Sequence, residues 1–357
     1  MMRRFRVCVP FLALLTFTIA PDQPVGGQQP APAKGTLERI TVHGRALEGN
    51  LEGDSPDRPV VVYLPPSYAR ETNRRYPVLY FLHGYTATAE AYVKSLAIPD
   101  SIDRAIAAGA REMIVVIPDA FTKYSGSMFS NSPTTGFWET FVADDLTAFI
   151  DKRYRTIASR NGRGLAGHSM GGYGTMRIGM KQAHAFGALY AMSSCCLMND
   201  PAAGRGGAAG RGEAGRGAPQ GRGAAQDAGQ GRGGGMANAL SAQAAAWAPN
   251  PKHPPQFFDL PTQDGEIQPL VAAKWVANSP LVFVDQYVPS LRSMRAVALD
   301  IGNQDPFVAT NRQLADALTR LDVPHTIEVY EGDHGNRIRE RFETHVLPFF
   351  SGHLTTP

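Results

Sequence analysis

Gly167-His168-Ser169-Met170-Gly171 sets a serine between two glycines in the pattern G-x-S-x-G, with a further glycine at 172. A small, apolar run at 162–169 reads as a strand, and 171–183 reads as a helix. A strand that turns sharply into a helix can lift such a serine above a sheet edge as a nucleophile, and the glycines relieve the crowding around it. Ser169 is therefore the expected nucleophile, with a structural turn serine as the alternative.

A serine hydroxyl needs a general base, and the base needs an acid to orient it. In a strand–serine–helix setting these follow in the order Ser, Asp or Glu, His. His325, His334, His345 and His353 come late enough in the chain. His334 falls in the polar loop Glu331-Gly332-Asp333-His334-Gly335-Asn336, whereas His325 opens a strand pattern, His345 sits inside a helical one and His353 is in the tail. Asp300 and Asp305 compete as the acid. Asp300 belongs to the strand pattern 295–302, while Gly302-Asn303-Gln304-Asp305-Pro306 puts Asp305 in a loop. The expected triad is Ser169, Asp305 and His334, with Asp300 as a buried structural carboxylate.

An oxyanion needs preorganised backbone donors. The N–H of Met170 and that of Tyr85, which follows Leu82-His83-Gly84, are the expected pair, and His83 reads as structural. Trp138, Glu139 and His168 are candidates for substrate contact. For Trp138 and Glu139 a structural role is the leading alternative, as core packing is for Phe129 and Phe137. No HExxH, CxxC or carboxylate cluster points to a metal, and no cofactor is expected.

The elements that must position these residues alternate. Runs at 59–65, 77–83, 113–119, 162–169, 186–194, 295–302 and 325–332 read as strands, most of them continuously apolar. Such strands are covered on both faces. Helical patterns lie around 98–109, 138–154, 171–183, 309–322 and 336–350. This order implies the α/β class: a mostly parallel central sheet with helices on both faces and right-handed crossovers. Residues 40–53 read as an antiparallel edge hairpin.

The chain has 357 residues, 37 of them glycine, and a formal net charge of +3. Residues 201–235 hold 14 of those glycines and five arginines against Glu213 and Asp227. Arg3, Arg4 and Arg6 add three more positive charges near the start. Without these two segments the remainder carries about −3, which removes the electrostatic case for nucleic acid. Segment 201–235 has no apolar residue larger than Ala or Pro and reads as a disordered, tolerated insert. Residues 1–20 read as a signal peptide, cleaved after Ala20 or as late as Gly27, because Val7–Ala20 is too short to span a bilayer. Residues 21–35 read as a flexible lead-in, and 36–353 as the folded domain around the insert. Cys195 and Cys196 are adjacent and read as two buried thiols.

VYLPPSY, YPVLYFLHG, GSMFSNSPTTGFWETF, GHSMGGYG, GNQDPF and EGDHG, in that order, resemble the esterase D-like branch of the α/β-hydrolases. That branch includes S-formylglutathione hydrolases, feruloyl and acetyl esterases, and secreted mycolyltransferases. The resemblance runs from about residue 36 to 351 and implies the same triad and the same two oxyanion donors. It departs at the 201–235 insert, where hydrolases commonly carry caps. The expected function is cleavage of carboxylic esters through an acyl-serine by a secreted or periplasmic enzyme. The expected substrate is a small-molecule or polysaccharide-linked ester; neither nucleic acid nor, once the signal is removed, a membrane is an expected partner. The rival readings are acyl transfer on the same triad and a non-catalytic binding protein on a hydrolase fold.

Overall fold

Val78–Leu82, Ile114–Pro118 and Ala188–Met192 are buried at every residue, so these runs can exist only in the middle of a sheet covered on both faces. The computed structural model describes residues 34–201 and 232–355, with the backbone alone for 232–237. The expected signal peptide, most of the lead-in and most of the 201–235 insert lie outside the described residues.

Eight strands form one sheet. They are β1 (Thr36–His43), β2 (Asp57–Leu64), β3 (Val78–Leu82), β4 (Ile114–Pro118), β5 (Arg163–His168), β6 (Ala188–Met192), β7 (Ala296–Gly302) and β8 (Thr326–Tyr330). Their order across the sheet is β1-β2-β4-β3-β5-β6-β7-β8. From β4 to β8 every pairing is parallel, while β1 with β2 and β2 with β4 are antiparallel. The outer strands β1 and β8 alternate between exposed and covered residues, as sheet edges do.

The period-2 alternation splits the core in two. Val78, Tyr80 and Leu82 face the side packed by Phe141, Leu146 and Tyr173, and Leu79 and Phe81 face Phe342 and Phe350. The helices used below are α1 (Ala89–Ser95), α2 (Asp100–Ala107), α3 (Leu146–Arg153), α4 (Met170–Lys181), α5 (Arg232–Trp247), α6 (Pro269–Ala277), α7 (Val308–Arg320) and α8 (Leu347–His353). Helix α4 is buried almost throughout, and three of its glycines, Gly171, Gly172 and Gly179, let it lie close to the sheet.

Two expectations need correction and one gains detail. The antiparallel edge is real, but its strands are 36–43 and 57–64, paired from Thr36 opposite Leu64 to His43 opposite Asp57. Residues 44–56 are only the connection, closed by the Gly44 N–H donating to Pro56 O at 2.9 Å, because the continuous apolar run of β2 is the stronger strand former. The helical segment expected at 138–154 carries a π turn at Phe141–Asp145, which puts Phe141, Val142 and Ala143 under cover in succession. The expected insert also ends early: 232–235 already belongs to α5, which continues through 247 and buries Ala244, Ala245 and Trp247.

Helix α4 is tied to the chain ahead of α3 by one charge pair. Arg177 Nε donates to Glu139 Oε1 at 2.7 Å, and both side chains are almost wholly buried. The same oxygen accepts the Asn131 N–H at 3.0 Å. Removing one partner leaves an uncompensated buried charge. Glu139→Ala is expected to lower the unfolding free energy by about 3–5 kcal/mol in chemical denaturation. A loss below ~1 kcal/mol would contradict this account.

Candidate active site

The parallel strands deliver four loops to one sheet edge. Beyond β3 lie His83 and Gly84, beyond β5 Ser169, beyond β7 Asp305, and beyond β8 His334. The β5 turn is tight. A Cβ on Gly167 would lie 2.4 Å from Gly171 O, and one on Gly171 would lie 2.0 Å from Leu82 O. Only glycine lets the start of α4 come this close to β5 and β3. Ser169 itself is held at φ +58° and ψ −114°, outside the regions that ordinary residues prefer. Its N–H donates to Met192 O at 3.0 Å, and its carbonyl accepts from Tyr173 N–H at 3.0 Å.

The structure brings the three reacting candidates together. His334 Nε2 lies 2.9 Å from Ser169 Oγ, and His334 Nδ1 lies 2.7 Å from Asp305 Oδ2. The Phe307 N–H donates to Asp305 Oδ1 at 2.8 Å. Burial alone would raise the Asp305 carboxyl, but the bonds from His334 and the Phe307 N–H outweigh it and hold the group below its ordinary value. A charged Asp305 on Nδ1–H leaves Nε2 as the acceptor facing the serine, so the trio can take the hydroxyl proton as the oxygen attacks.

Tyr85 and Met170 are neighbours here. A Cβ on Gly126 would lie 2.7 Å from the Tyr85 ring and 2.8 Å from Met170 Sδ. Among the described residues neither backbone N–H donates to a protein acceptor, and Met170 opens α4, where the helix dipole favours negative charge. The Tyr85 hydroxyl donates to Tyr124 O at 3.0 Å, and the Thr86 N–H donates to Ser125 O at 3.0 Å, which fixes the loop. Both amides are therefore left available as backbone donors.

The three residues proposed for substrate contact are held inside the protein. The Trp138 indole N–H donates to Thr135 O at 2.8 Å, with Arg58 stacked over the ring, and Glu139 is spent on Arg177. His168 is buried too. Tyr92 Oη lies 2.7 Å from its Nδ1, and its Nε2 lies 2.7 Å from the backbone carbonyl of His334. Burial and the neighbouring His334 lower the His168 pKa to about 4, so the ring is neutral. Its Nε2–H then donates to His334 O, and its Nδ1 accepts from Tyr92. The rings of His168 and His334 are 4.9 Å apart, so His168 backs the base rather than touching substrate. Phe129 is core, whereas Phe137 is about half exposed. His83 accepts the Ala120 N–H at 2.8 Å and is wholly buried. Asp300 pairs with Arg341 Nε at 2.9 Å, as a structural carboxylate would.

Tyr92 was invisible in the sequence, since no motif marks a tyrosine that bonds a histidine 76 residues away. A cavity of about 540 Å³ beyond the insert was likewise unsignalled; Phe258, His253, Asp259 and Leu260 help to line it. Phe258 meets Tyr124 edge-on at 5.5 Å, which sets one wall of the cavity against the loop that follows β4. Among the described residues no cluster of His, Cys, Asp or Glu could hold a metal ion, and no helix is long and apolar enough to cross a membrane.

A mostly parallel sheet, flanked by helices and carrying a strand–serine–helix elbow, defines an α/β-hydrolase fold. Residues 55–343 match the family model described as "Putative esterase", and the chain belongs to that Esterase family. It is 37% identical over 128 residues to Esterase MT1326 of Mycobacterium tuberculosis (strain CDC 1551 / Oshkosh), a match covering 34% of this chain and 26% of the relative. It is 32% identical over 130 residues to an endo-1,4-beta-xylanase/feruloyl esterase of Xylanibacter ruminicola, covering 35% and 18%. The matches thus span about a quarter or less of these curated relatives. A solved ferulic acid esterase superposes with a TM-score of 0.63 at 22% identity, over 90% of this chain and 99% of that one.

The His168 network carries two expectations. Tyr92→Phe and His168→Gln should lower kcat for ester cleavage by roughly ten- to a hundred-fold with little change in KM, because the base shifts while the substrate pocket stays. His168 is neutral when folded down to about pH 4 and binds a proton near its ordinary 6.5 when unfolded, so its folded pKa is depressed. Between those values the unfolded state holds the extra proton, so stability falls as pH drops from about 6.5 to about 4. Urea midpoints against pH should show a shallower fall in His168→Gln; an unchanged slope would contradict the assignment.

Proposed function

We propose that the protein is an exported serine carboxylesterase that works through an acyl-serine. The observation that carries this reading is the unbroken relay Asp305–His334–Ser169 at the β5 elbow, with bonds of 2.7 and 2.9 Å. His334 takes the Ser169 proton as Oγ attacks the ester carbonyl, and the N–H groups of Tyr85 and Met170 bind the resulting oxyanion. His334 then protonates the leaving alcohol. Water enters, gives its proton to His334 and releases the acid. Asp305 holds the ring and stabilises its charged form throughout.

Hydroxycinnamoyl esters are the favoured acyl class, because a feruloyl esterase is among the relatives and a ferulic acid esterase among the structural neighbours. The cavity lined by Phe258 and by polar His253, Asp259 and Gln263 suits a sugar-bearing alcohol portion. Export rests on residues 1–20, which read as a signal peptide.

Ser169→Ala should abolish turnover of p-nitrophenyl acetate and of methyl ferulate. Asp305→Asn should lower kcat by about 10⁴-fold, since it favours the wrong histidine tautomer. Full hydrolysis by Ser169→Ala would overturn the reading. Products formed with an added alcohol would identify acyl transfer at the same serine instead of hydrolysis.

A further inference from the structure

Cys195 and Cys196 follow β6 directly and sit against the nucleophile. The Cys195 N–H donates to Ser169 O at 3.3 Å. Consecutive side chains in extended backbone point to opposite sides. Cys196 instead adopts φ +60°, in the left-handed region, and its carbonyl accepts from Asn199 Nδ2 at 2.8 Å. The turn brings the two sulfurs to the same side, 2.7 Å apart, with both thiols free. Gln243 of α5 donates to Cys196 Sγ at 3.7 Å. Cys195 is buried and Cys196 half-buried, so Cys196 is the more accessible of the pair while Cys195 lies against Ser169.

We propose that Cys195 and Cys196 form a thiol–disulfide exchange site that closes into a vicinal disulfide with a small-molecule disulfide and thereby slows acylation of Ser169. The thiolate of Cys196 attacks one sulfur of the reagent, whose S–S bond breaks and releases one thiolate. Cys195, once deprotonated, attacks Cys196 Sγ and expels the second. Each thiolate released takes up one of the protons the cysteines lost. Two protein thiols are oxidised to one disulfide, and one small disulfide is reduced to two thiols. The sulfurs need to approach by about 0.6 Å to reach the ordinary bond length. Adjacent Cα atoms are about 3.8 Å apart, closer than in ordinary disulfides, so the closed ring is strained and easily reduced again. Closure pulls on Cys195, whose N–H is bonded to the Ser169 carbonyl.

The effect on acylation rests on the esterase reading, whereas the thiol chemistry does not. The full chain would be treated with oxidised glutathione, and the peptide carrying both cysteines weighed. The expected result is loss of two hydrogens without a retained glutathione, with p-nitrophenyl acetate hydrolysis several-fold slower and restored by dithiothreitol. Cys196→Ser should hydrolyse normally and ignore the oxidant. An unchanged peptide, a stable glutathione adduct, or ring closure with unaltered hydrolysis would each overturn the proposal. A chain inactive in both redox states but closing its ring would sink the esterase reading, and with it the effect on acylation, while retaining the exchange site.

Discussion

The approach of α4 to the sheet at Gly167 and Gly171 is the contact on which the site depends. With Leu82 O only 2.0 Å from where a Gly171 Cβ would lie, no larger residue could seat the helix there. Seating it puts Met170 in the first turn of α4 directly after the nucleophile, and holds the serine at positive φ with its hydroxyl toward His334. The strain at one residue is offset by the buried surface of a helix covered along nearly its whole length.

Two buried charge pairs keep this assembly in register from opposite faces. Glu139 and Arg177 hold α4 to the segment before α3. Arg341 reaches Asp300 at 2.9 Å, tying the segment before α8 to β7, whose end carries Asp305. Burial pushes the Asp300 carboxyl up to about 6, and Arg341 with the Tyr190 hydroxyl restrains the rise. Pairs of this kind fix position more than they add stability, because desolvation opposes the attraction. At the site position matters most, since the base, the acid and the serine come from three separate loops.

Most of the sheet was legible. Seven strand runs came out within about two residues of their observed bounds, because a strand covered on both faces must be continuously apolar. Ser169, Asp305 and His334 were legible as candidates because each follows a strand pattern in the expected order. The region 236–294 was not legible: α5 and α6 are built from alanines and scattered large residues, and they gain order from Trp247 against Trp275 and Tyr173 rather than from a pattern of their own. The roles of Trp138, Glu139 and His168 were hidden for a similar reason, since nothing local separates a buried polar side chain from one that faces a ligand.

Strand periodicity and the G-x-S-x-G turn act over a few neighbouring positions, so residue order was enough to reach the fold class and the three residues that meet. Packing brings His168 against a base 166 residues away, Glu139 onto Arg177, and Cys195 against Ser169. Those contacts join segments distant in the chain, and their energies depend on burial and angle. Both are properties of the packed molecule, with no counterpart in residue order.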